Sequence, residues 1–399
     1  MIRKLSPLGA LFTAQFLSAF VDNMMLFIAQ AIIVRGSYPV YYLPLVQGTF
    51  LFSYIVLSPW VGRYADKHAK AKVLIHGNLI KLFGVALLFF DLDPALSYAV
   101  VGAGAAVYSP AKYGILPFLT RTDSELLTAN SYLESFTIVA ILAGSIGGGF
   151  LSDFSINFAL LVAGGLYGAS ILFNLVIPKD GGDKAIHYKD AIRAFPRDIS
   201  TLAFIHESQY SLLGTGSFWL VSAVLRLAVF AWLPLVLGIT SNTEISLIFA
   251  ATGVGLVVGA VLTPHLITIQ TYRRTLFAGV FLVISIFSFT MIHSLAMTII
   301  ALFALGVSGG IYIVPLNACL QQIGHQSVGA GKTIAVQNFV ENTFMFLGVG
   351  AYTLSVKAGV EVNSAILATG VVLAFTLAYM FRLTGKDRKL ANISDRKAD

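Results

Sequence analysis

The stretch PKDGGDKAIHYKDAIRAFPRDISTLAFIHESQYSL, residues 178–212, is a long polar interruption in a strongly apolar chain. Only 11% of the 399 residues are charged and 57% are hydrophobic, which leaves too little charge to cover the surface of a soluble protein. Apolar windows of about 20 residues, long enough to cross a bilayer, occur six times before this stretch and six times after it. The sequence therefore predicts an all-α membrane protein with twelve transmembrane helices in two six-helix bundles.

Short segments containing charged residues, Pro, Gly or Asn separate the predicted helices. The helical windows are 7–34, 41–62, 73–92, 95–117, 124–150, 155–177, 213–238, 243–265, 274–292, 295–318, 330–356 and 361–383. They assign residues 1–177 to an N-terminal bundle, 178–212 to a linker, 213–383 to a C-terminal bundle and 384–399 to a tail.

Basic residues are distributed unevenly between the two ends of these helices. The net charge is +7, but the basic residues lie in short runs between apolar windows, which indicates membrane topology and not nucleic-acid binding. Of the 26 Lys and Arg residues, only Arg35 and Lys357 lie in connections on the side opposite to the N-terminus. Because basic loops stay in the cytoplasm, we expect both termini, the linker and the tail to be cytoplasmic.

The two halves of the chain repeat each other. FLSAFVD (Phe16–Asp22) matches LVSAVLR (Leu220–Arg226) at an offset of 204 residues, and the same offset places Tyr108 over Tyr312. This parallel repeat resembles that of major facilitator transporters, whose substrate site lies between the halves. After a slip of three residues the match continues, with Asn130 over Gln337 and Glu134 over Glu341.

The connection after the second window, GRYADKHAKAK (Gly62–Lys72), resembles the loop signature of the major facilitators. In that signature the acidic residue caps a helix N-terminus and, with basic neighbours, holds one gate of the transporter closed. The places of the signature are taken by Gly62, Asp66, Lys67, Lys70 and Lys72, with lysines where arginines are usual. The alternative interpretation is an ordinary basic cytoplasmic loop.

Two glycine-rich segments have competing interpretations. GSIGGG (Gly144–Gly149) approaches a motif of drug/proton antiporters, but Ser145 replaces its proline, and close helix packing is the simpler interpretation. GAGKT (Gly329–Thr333) resembles the end of a phosphate-binding loop, but the first glycine of that motif is replaced by Gln326 and no strand precedes it. ATP binding is therefore not expected.

Charged residues lie within the predicted membrane helices, where each costs about 2.5 to 3.5 kcal/mol and indicates function. Lys81 is near a helix end and can extend to the membrane surface. The others belong to polar stripes with i, i+4 spacing, which favour a wet cavity over simple structural salt bridges. The predicted central-site residues are Asp22, Tyr108, Lys112, Asn130, Glu134, Arg226, Gln337 and Glu341. No catalytic constellation or metal spacing is found, so neither an enzyme nor a cofactor is predicted.

Long segments of the chain resemble the bacterial lysophospholipid transporter family of the major facilitators. They are AQFLSAFVDNMMLF (residues 14–27), GAAVYSPAKYGIL (104–116), TANSYLES (128–135), VPLNACLQ (314–321) and SVGAGKTIAVQNFVEN (327–342). The resemblance implies transport of lysophosphatidylethanolamine and lysophosphatidylglycerol from the outer to the inner leaflet of the bacterial inner membrane. It also implies a separate acyl-carrier-protein synthetase/acyltransferase as partner. We expect the transporter to be a monomer among membrane lipids.

A lysophospholipid carrier needs fixed positive charge for the phosphodiester and an apolar route for the acyl chain. We expect Lys112 and Arg226 to bind the phosphate, and Asp22, Glu134 and Glu341 to neutralise these cations in the empty site. The matching positions of Asp22 and Arg226 predict that these two residues form a pair.

Two other functions remain open at this point. The first is a proton-coupled exporter of amphiphilic drugs that uses Asp22 or Glu134 as proton carrier, and Ser145 argues against it. The second is a transport-inactive membrane scaffold for an acyltransferase, and the polar stripes argue against it.

Overall fold

A computed structural model describes residues 6–36, 38, 42–239 and 242–398, and these residues form helices and connections without a β-strand. The α-helices are α1 (Pro7–Arg35), α2 (Tyr42–Lys67), α3 (Lys70–Phe89), α4 (Pro94–Gly114), α5 (Leu116–Leu119), α6 (Asp123–Phe154), α7 (Ile156–Asn174), α8 (Ala191–Phe204), α9 (His206–Leu237), α10 (Asn242–Leu266), α11 (Thr275–Phe289), α12 (Leu295–Gln326), α13 (Ala330–Lys357) and α14 (Val362–Ala398). A 3-10 helix, Ile269–Arg274, precedes α11.

Each of the twelve predicted windows corresponds to one long helix, so the all-helical membrane fold is confirmed. In the described part of the chain, ten helices are long and apolar enough to cross a membrane. The helices α4 and α13 are outside this group because polar and small residues lower their mean hydropathy. Both carry predicted site residues. The helix α9 begins at His206, before the predicted start at 213, since it continues through polar residues that an apolar window does not include.

Local signals in the sequence account for several helix starts. The side chain of Ser6 accepts a hydrogen bond from the backbone N–H of Gly9, and Pro7 follows in the first turn of α1. The side chain of Thr122 caps α6 in the same way, accepting from the N–H of Glu125 at 3.1 Å. These caps satisfy backbone donors that have no partner within the helix.

The chain forms two compact units. The first consists of residues 1–199 and 324–339, and the second of residues 200–323 and 340–399. In the first unit α1 packs against α6 and α7, while α4 packs against α2 and α3. In the second unit α14 packs against α9 and α11. The start of α13, through Phe339, therefore belongs to the first unit although it lies in the second half of the sequence.

The glycines of GSIGGG allow α6 to approach α1 closely. A Cβ atom at Gly144 would lie 2.2 Å from the carbonyl oxygen of Phe20, and one at Gly148 would lie 2.8 Å from the Cα of Met24. At Gly149 a Cβ atom would meet nothing within 4 Å. Small residues at such contacts let helix backbones pack directly in a membrane, so the packing interpretation of this segment is confirmed.

We expect Gly144→Ala to destabilise the first unit, because the added methyl group would overlap the backbone of α1. Gly149→Ala is the matched control, since the same change there meets open space. The measurement is the fraction of monodisperse protein after heating in detergent, followed by size-exclusion chromatography. Equal thermal stability of the two variants would contradict this account of the α1–α6 contact.

Candidate functional site

A buried ion pair joins α1 and α3 inside the first unit. The ammonium of Lys81 lies 2.7 Å from a carboxylate oxygen of Asp22, and the Lys81 side chain is 1% exposed. Lys81 therefore does not extend to the membrane surface, and it contacts Asp22, one of the predicted site residues. The distance of Lys81 from the helix end does not predict its exposure, because burial depends on the neighbouring helices.

Polar side chains of α1, α3 and α7 surround this pair. The hydroxyl of Tyr167 donates to the other carboxylate oxygen of Asp22 at 2.6 Å. Lys81 also donates to the hydroxyl oxygen of Ser18 at 2.8 Å, and Ser18 donates to Asn78 at 2.9 Å. The charges are thus embedded in a network of hydrogen bonds, as a buried pair requires.

Both carboxylate oxygens of Asp22 accept hydrogen bonds from the first unit. The predicted pair between Asp22 and Arg226 therefore stays a prediction. Tyr108, another predicted site residue, is buried with its ring centroid 4.8 Å from the Lys81 ammonium, which is the geometry of a cation–π contact. Tyr108 thus belongs to the Asp22–Lys81 centre.

A second polar group of the first unit joins α4 to α6 through Tyr113. The Tyr113 hydroxyl donates to Glu134 at 2.7 Å, and the ammonium of Lys112 lies 4.5 Å from the centroid of the Tyr113 ring. Glu134 is 2% exposed and Lys112 is 9% exposed. Asn130, one turn before Glu134, is buried and donates to the carbonyl of Leu126. Sequence reasoning missed Tyr113, although it follows Lys112 directly.

The predicted site residues of α13 are also buried. Gln337 lies in the part of α13 that belongs to the first unit, and Glu341 lies in the part that belongs to the second. Asn338, next to Gln337, exchanges hydrogen bonds with Ser109 of α4 at 2.9 and 3.3 Å. The start of α13 and the proline-containing turn of α4 are therefore directly connected.

Arg226 differs from the other predicted charges. It lies in the second half of α9, in the second unit, and its side chain is exposed. It forms neither a hydrogen bond nor an ion pair with any residue in the described ranges. A cation held on a membrane helix without a counter-ion is suited to bind an anionic ligand.

The loop signature caps the N-terminus of α13. The carboxylate of Asp66 accepts hydrogen bonds from the backbone N–H groups of Gly331 at 2.6 Å and Lys332 at 3.0 Å. A Cβ atom at Gly62 would lie 2.7 Å from the Cα of Lys332, so glycine is required for this close approach. The segment GAGKT thus binds an anion through a helix N-terminus, but the anion is the side chain of Asp66.

The basic residues of this loop contact the linker. Lys70 forms an ion pair with Asp180 at 2.8 Å, and the Lys67 ammonium lies 4.6 Å from the ring centroid of Tyr188. Arg63, which sequence reasoning did not select, forms a largely buried ion pair with Asp198 at 2.6 Å. The linker is therefore fixed to the loop signature by charge.

His68 adds a neutral contact between the loop and the linker. Burial and the neighbouring cations lower the pKa of the His68 imidazole. The ring is therefore neutral at neutral pH and shares a hydrogen bond of 3.1 Å with the Tyr188 hydroxyl. Among the described residues, no group of three or more His, Cys, Asp or Glu side chains could hold a metal ion.

Comparison with known proteins identifies relatives along nearly the whole chain. The family model of the Major Facilitator Superfamily matches residues 11–349. The lysophospholipid transporter LplT of Photorhabdus laumondii is 40% identical over 375 residues, which cover 93% of this chain and 94% of that protein. The protein of the same name from Klebsiella pneumoniae is 41% identical with the same coverage.

Two solved structures support the fold. The Escherichia coli fucose:proton symporter FucP covers 94% of this chain and 98% of its own, with a TM-score of 0.71 and 14% identity. The human organic anion transporter MFSD10 covers 95% of this chain and 100% of its own, with a TM-score of 0.74 and 12% identity. At such low identity the likeness shows the fold alone.

We expect Lys81→Met to lower stability by about 3 kcal/mol, the lower end of the cost of breaking a buried ion pair, because Asp22 keeps its bond from Tyr167. The double change Asp22→Asn with Lys81→Met should recover most of this loss, since no unpaired charge remains. Thermal unfolding of both variants in detergent measures the difference. If the double variant is less stable than Lys81→Met alone, the pair does not determine stability in this region.

Proposed function

Because the chain belongs to the major facilitator superfamily and, within it, to the lysophospholipid transporters, we propose that it moves lysophosphatidylethanolamine and lysophosphatidylglycerol across the bacterial inner membrane. The proposed direction is from the outer to the inner leaflet. Relatives named lysophospholipid transporters match 93% of the chain at 40 to 41% identity, which supports this substrate class.

The observation that carries the proposal is the position of Arg226. A lysophospholipid has a phosphodiester anion and one acyl chain, and Arg226 presents an exposed guanidinium on a membrane helix with no counter-ion among the described residues. A guanidinium binds phosphate oxygens with two parallel hydrogen bonds, which an ammonium cannot do. Arg226 would therefore hold the headgroup phosphate.

Residues of the first unit would complete the site. Lys112 would supply a second cation for the headgroup, with Tyr113 as its neighbour. Asp22, Glu134 and Glu341 would exchange partners among the cations when the substrate arrives or leaves. Asp22 forms an ion pair with Lys81, so Lys81 would take part in this exchange. Tyr108, Asn130 and Gln337 would provide further polar surface.

The contacts of Asp66 would act as a gate. They connect the loop signature to the start of α13, a helix that continues into the second unit. Movement of α13 away from the first unit would break both hydrogen bonds. Gly62 and Asp66 would therefore stabilise one conformation of the transport cycle. Lys67 and Lys70 would act with them through the linker residues Tyr188 and Asp180.

The cellular setting is also part of the proposal. The concentration of basic residues on one side favours cytoplasmic termini. A lysophospholipid delivered to the inner leaflet lacks one acyl chain, and a separate acyl-carrier-protein synthetase/acyltransferase would restore it. The transporter would act as a monomer and without a cofactor.

Transport by purified protein in proteoliposomes tests the function. Labelled lysophosphatidylethanolamine should move between leaflets, as measured by back-extraction with albumin, with and without an imposed proton gradient. Arg226→Met should weaken binding about 10- to 150-fold, because a charge-assisted hydrogen bond contributes about 1.5 to 3 kcal/mol. Arg226→Lys should have an intermediate effect.

Lys357→Met, at the end of α13, is the matched control for loss of a positive charge. Normal binding by Arg226→Met would remove Arg226 from the headgroup site. If the unmodified protein moves no lysophospholipid, the proposed function is wrong.

For the gate, we expect Asp66→Asn to slow transport while binding of lysophosphatidylethanolamine changes less than about threefold, or ~0.7 kcal/mol. The amide has one acceptor oxygen and no charge, so it cannot replace both hydrogen bonds to α13. Asp183→Asn, at an exposed linker carboxylate, is the control. Loss of binding together with an unaltered transport rate at saturation would place Asp66 in the substrate site and not in a gate.

A further inference from the structure

The second unit contains an internal apolar cavity of about 70 Å³. Side chains of α9, α10, α11 and α12 line it, together with Leu373 of α14. Among the lining side chains only those of Ser222 and Thr252 are polar, while the others include Phe218, Phe249 and Phe289. Apolar cavities of this kind stay dry and accept apolar ligands.

The cavity lies beside Arg226. Ser222, Leu225 and Val229 all line it, and these α9 residues lie four before, one before and three after Arg226. Residues three and four apart share one face of a helix, so Arg226 shares a face of α9 with Ser222 and Val229, two residues that line the cavity. A ligand with an anionic group and an apolar chain could therefore engage both.

The cavity is elongated along α9. Its lining extends along α9 from Phe218 to Val229, which is about 16 Å at the rise of an α-helix. The hydrocarbon core of a bilayer is about 30 Å thick, so the acyl chain of one leaflet spans about half of this distance. The end at Phe218 lies about 12 Å along the axis from Arg226.

One wall of the cavity is formed by two helices in direct backbone contact. The helices α10 and α12 touch backbone to backbone, and Cβ atoms at Gly255 and Gly306 would each lie 2.1 Å from a carbonyl oxygen of the other helix. At this contact no side chain lies between the two helices that a ligand could displace. One water-sized group needs about 10 to 15 Å³ of cavity volume, so the cavity of about 70 Å³ holds about five to seven such groups.

We propose that this cavity binds the terminal part of the substrate's acyl chain while Arg226 holds the phosphate, and that it selects lysophospholipids by chain length. The proposal rests on the function proposed above and adds a tail site to it. Because the lining ends at Phe218, about 12 Å from Arg226, shorter chains fill less of the cavity and make fewer apolar contacts, and a smaller cavity penalises long chains.

Transport of lysophosphatidylethanolamines with decanoyl, lauroyl and palmitoyl chains tests this site. Leu256→Phe and Val221→Phe should each reduce the palmitoyl-to-decanoyl ratio of transport rates about tenfold, because the larger rings fill the cavity from different helices. Leu256→Ala should shift the preference towards longer chains. Leu262→Phe is the matched control, since Leu262 is an exposed leucine of the same helix α10 that does not line the cavity.

The result separates the tail site from the general function. If Leu256→Phe or Val221→Phe folds and leaves the palmitoyl-to-decanoyl ratio unchanged, or if Leu262→Phe causes the same shift, the tail site is overturned. Transport by the unmodified protein would still support the proposed function in that case. If either Leu256→Phe or Val221→Phe does not fold, the other of these two variants and Leu256→Ala still test the tail site. Absence of transport by the unmodified protein would instead contradict the proposed function itself.

Discussion

The ion pair between Lys81 and Asp22 constrains how the helices α1, α3 and α7 can pack together. Each charge alone costs about 2.5 to 3.5 kcal/mol at the centre of a membrane helix, so α1 and α3 are stable together only in the register that joins them. Tyr167 of α7 donates to the same carboxylate and brings a third helix into this register. The pair thus makes the packing of α1, α3 and α7 mutually dependent, with Ser18 and Asn78 extending the same network.

The same requirement for partners operates outside the membrane core. A helix N-terminus has unpaired backbone N–H groups, and Asp66 satisfies two of those at the start of α13. The linker in turn supplies Asp180 to Lys70 and Asp198 to Arg63. Loop signature, linker and helix start consequently form one polar cluster. The stretch 178–212 therefore does more than connect two bundles, because its carboxylates neutralise the loop.

The sequence predicts the helices well, because the length and polarity of a membrane span are local properties. The position of Asp66 at a helix N-terminus was also predictable, because the loop signature of the major facilitators, which this segment resembles, has its acidic residue there. The partners of Lys81 and Arg63 were not, because they lie on helices far away in the sequence and no local pattern specifies which carboxylate a buried cation meets. Tyr113 was missed for a related reason. Spacing of i, i+4 selects polar residues on one face of a single helix, whereas Tyr113 of α4 forms its hydrogen bond with Glu134 of α6.

The two units use equivalent positions of the repeat in different ways. In the first unit Tyr108 packs against the ammonium of Lys81. At the matching position of the second unit, Tyr312 packs against Phe218, which lines the apolar cavity. Likewise Asp22 is enclosed by hydrogen bonds, whereas Arg226 is exposed and has no counter-ion among the described residues. A lysophospholipid is itself asymmetric, with a charged head and an apolar tail. The first half therefore has charge networks at these positions and the second half has an apolar cavity next to Arg226, so the two copies of the repeat have diverged in their chemistry.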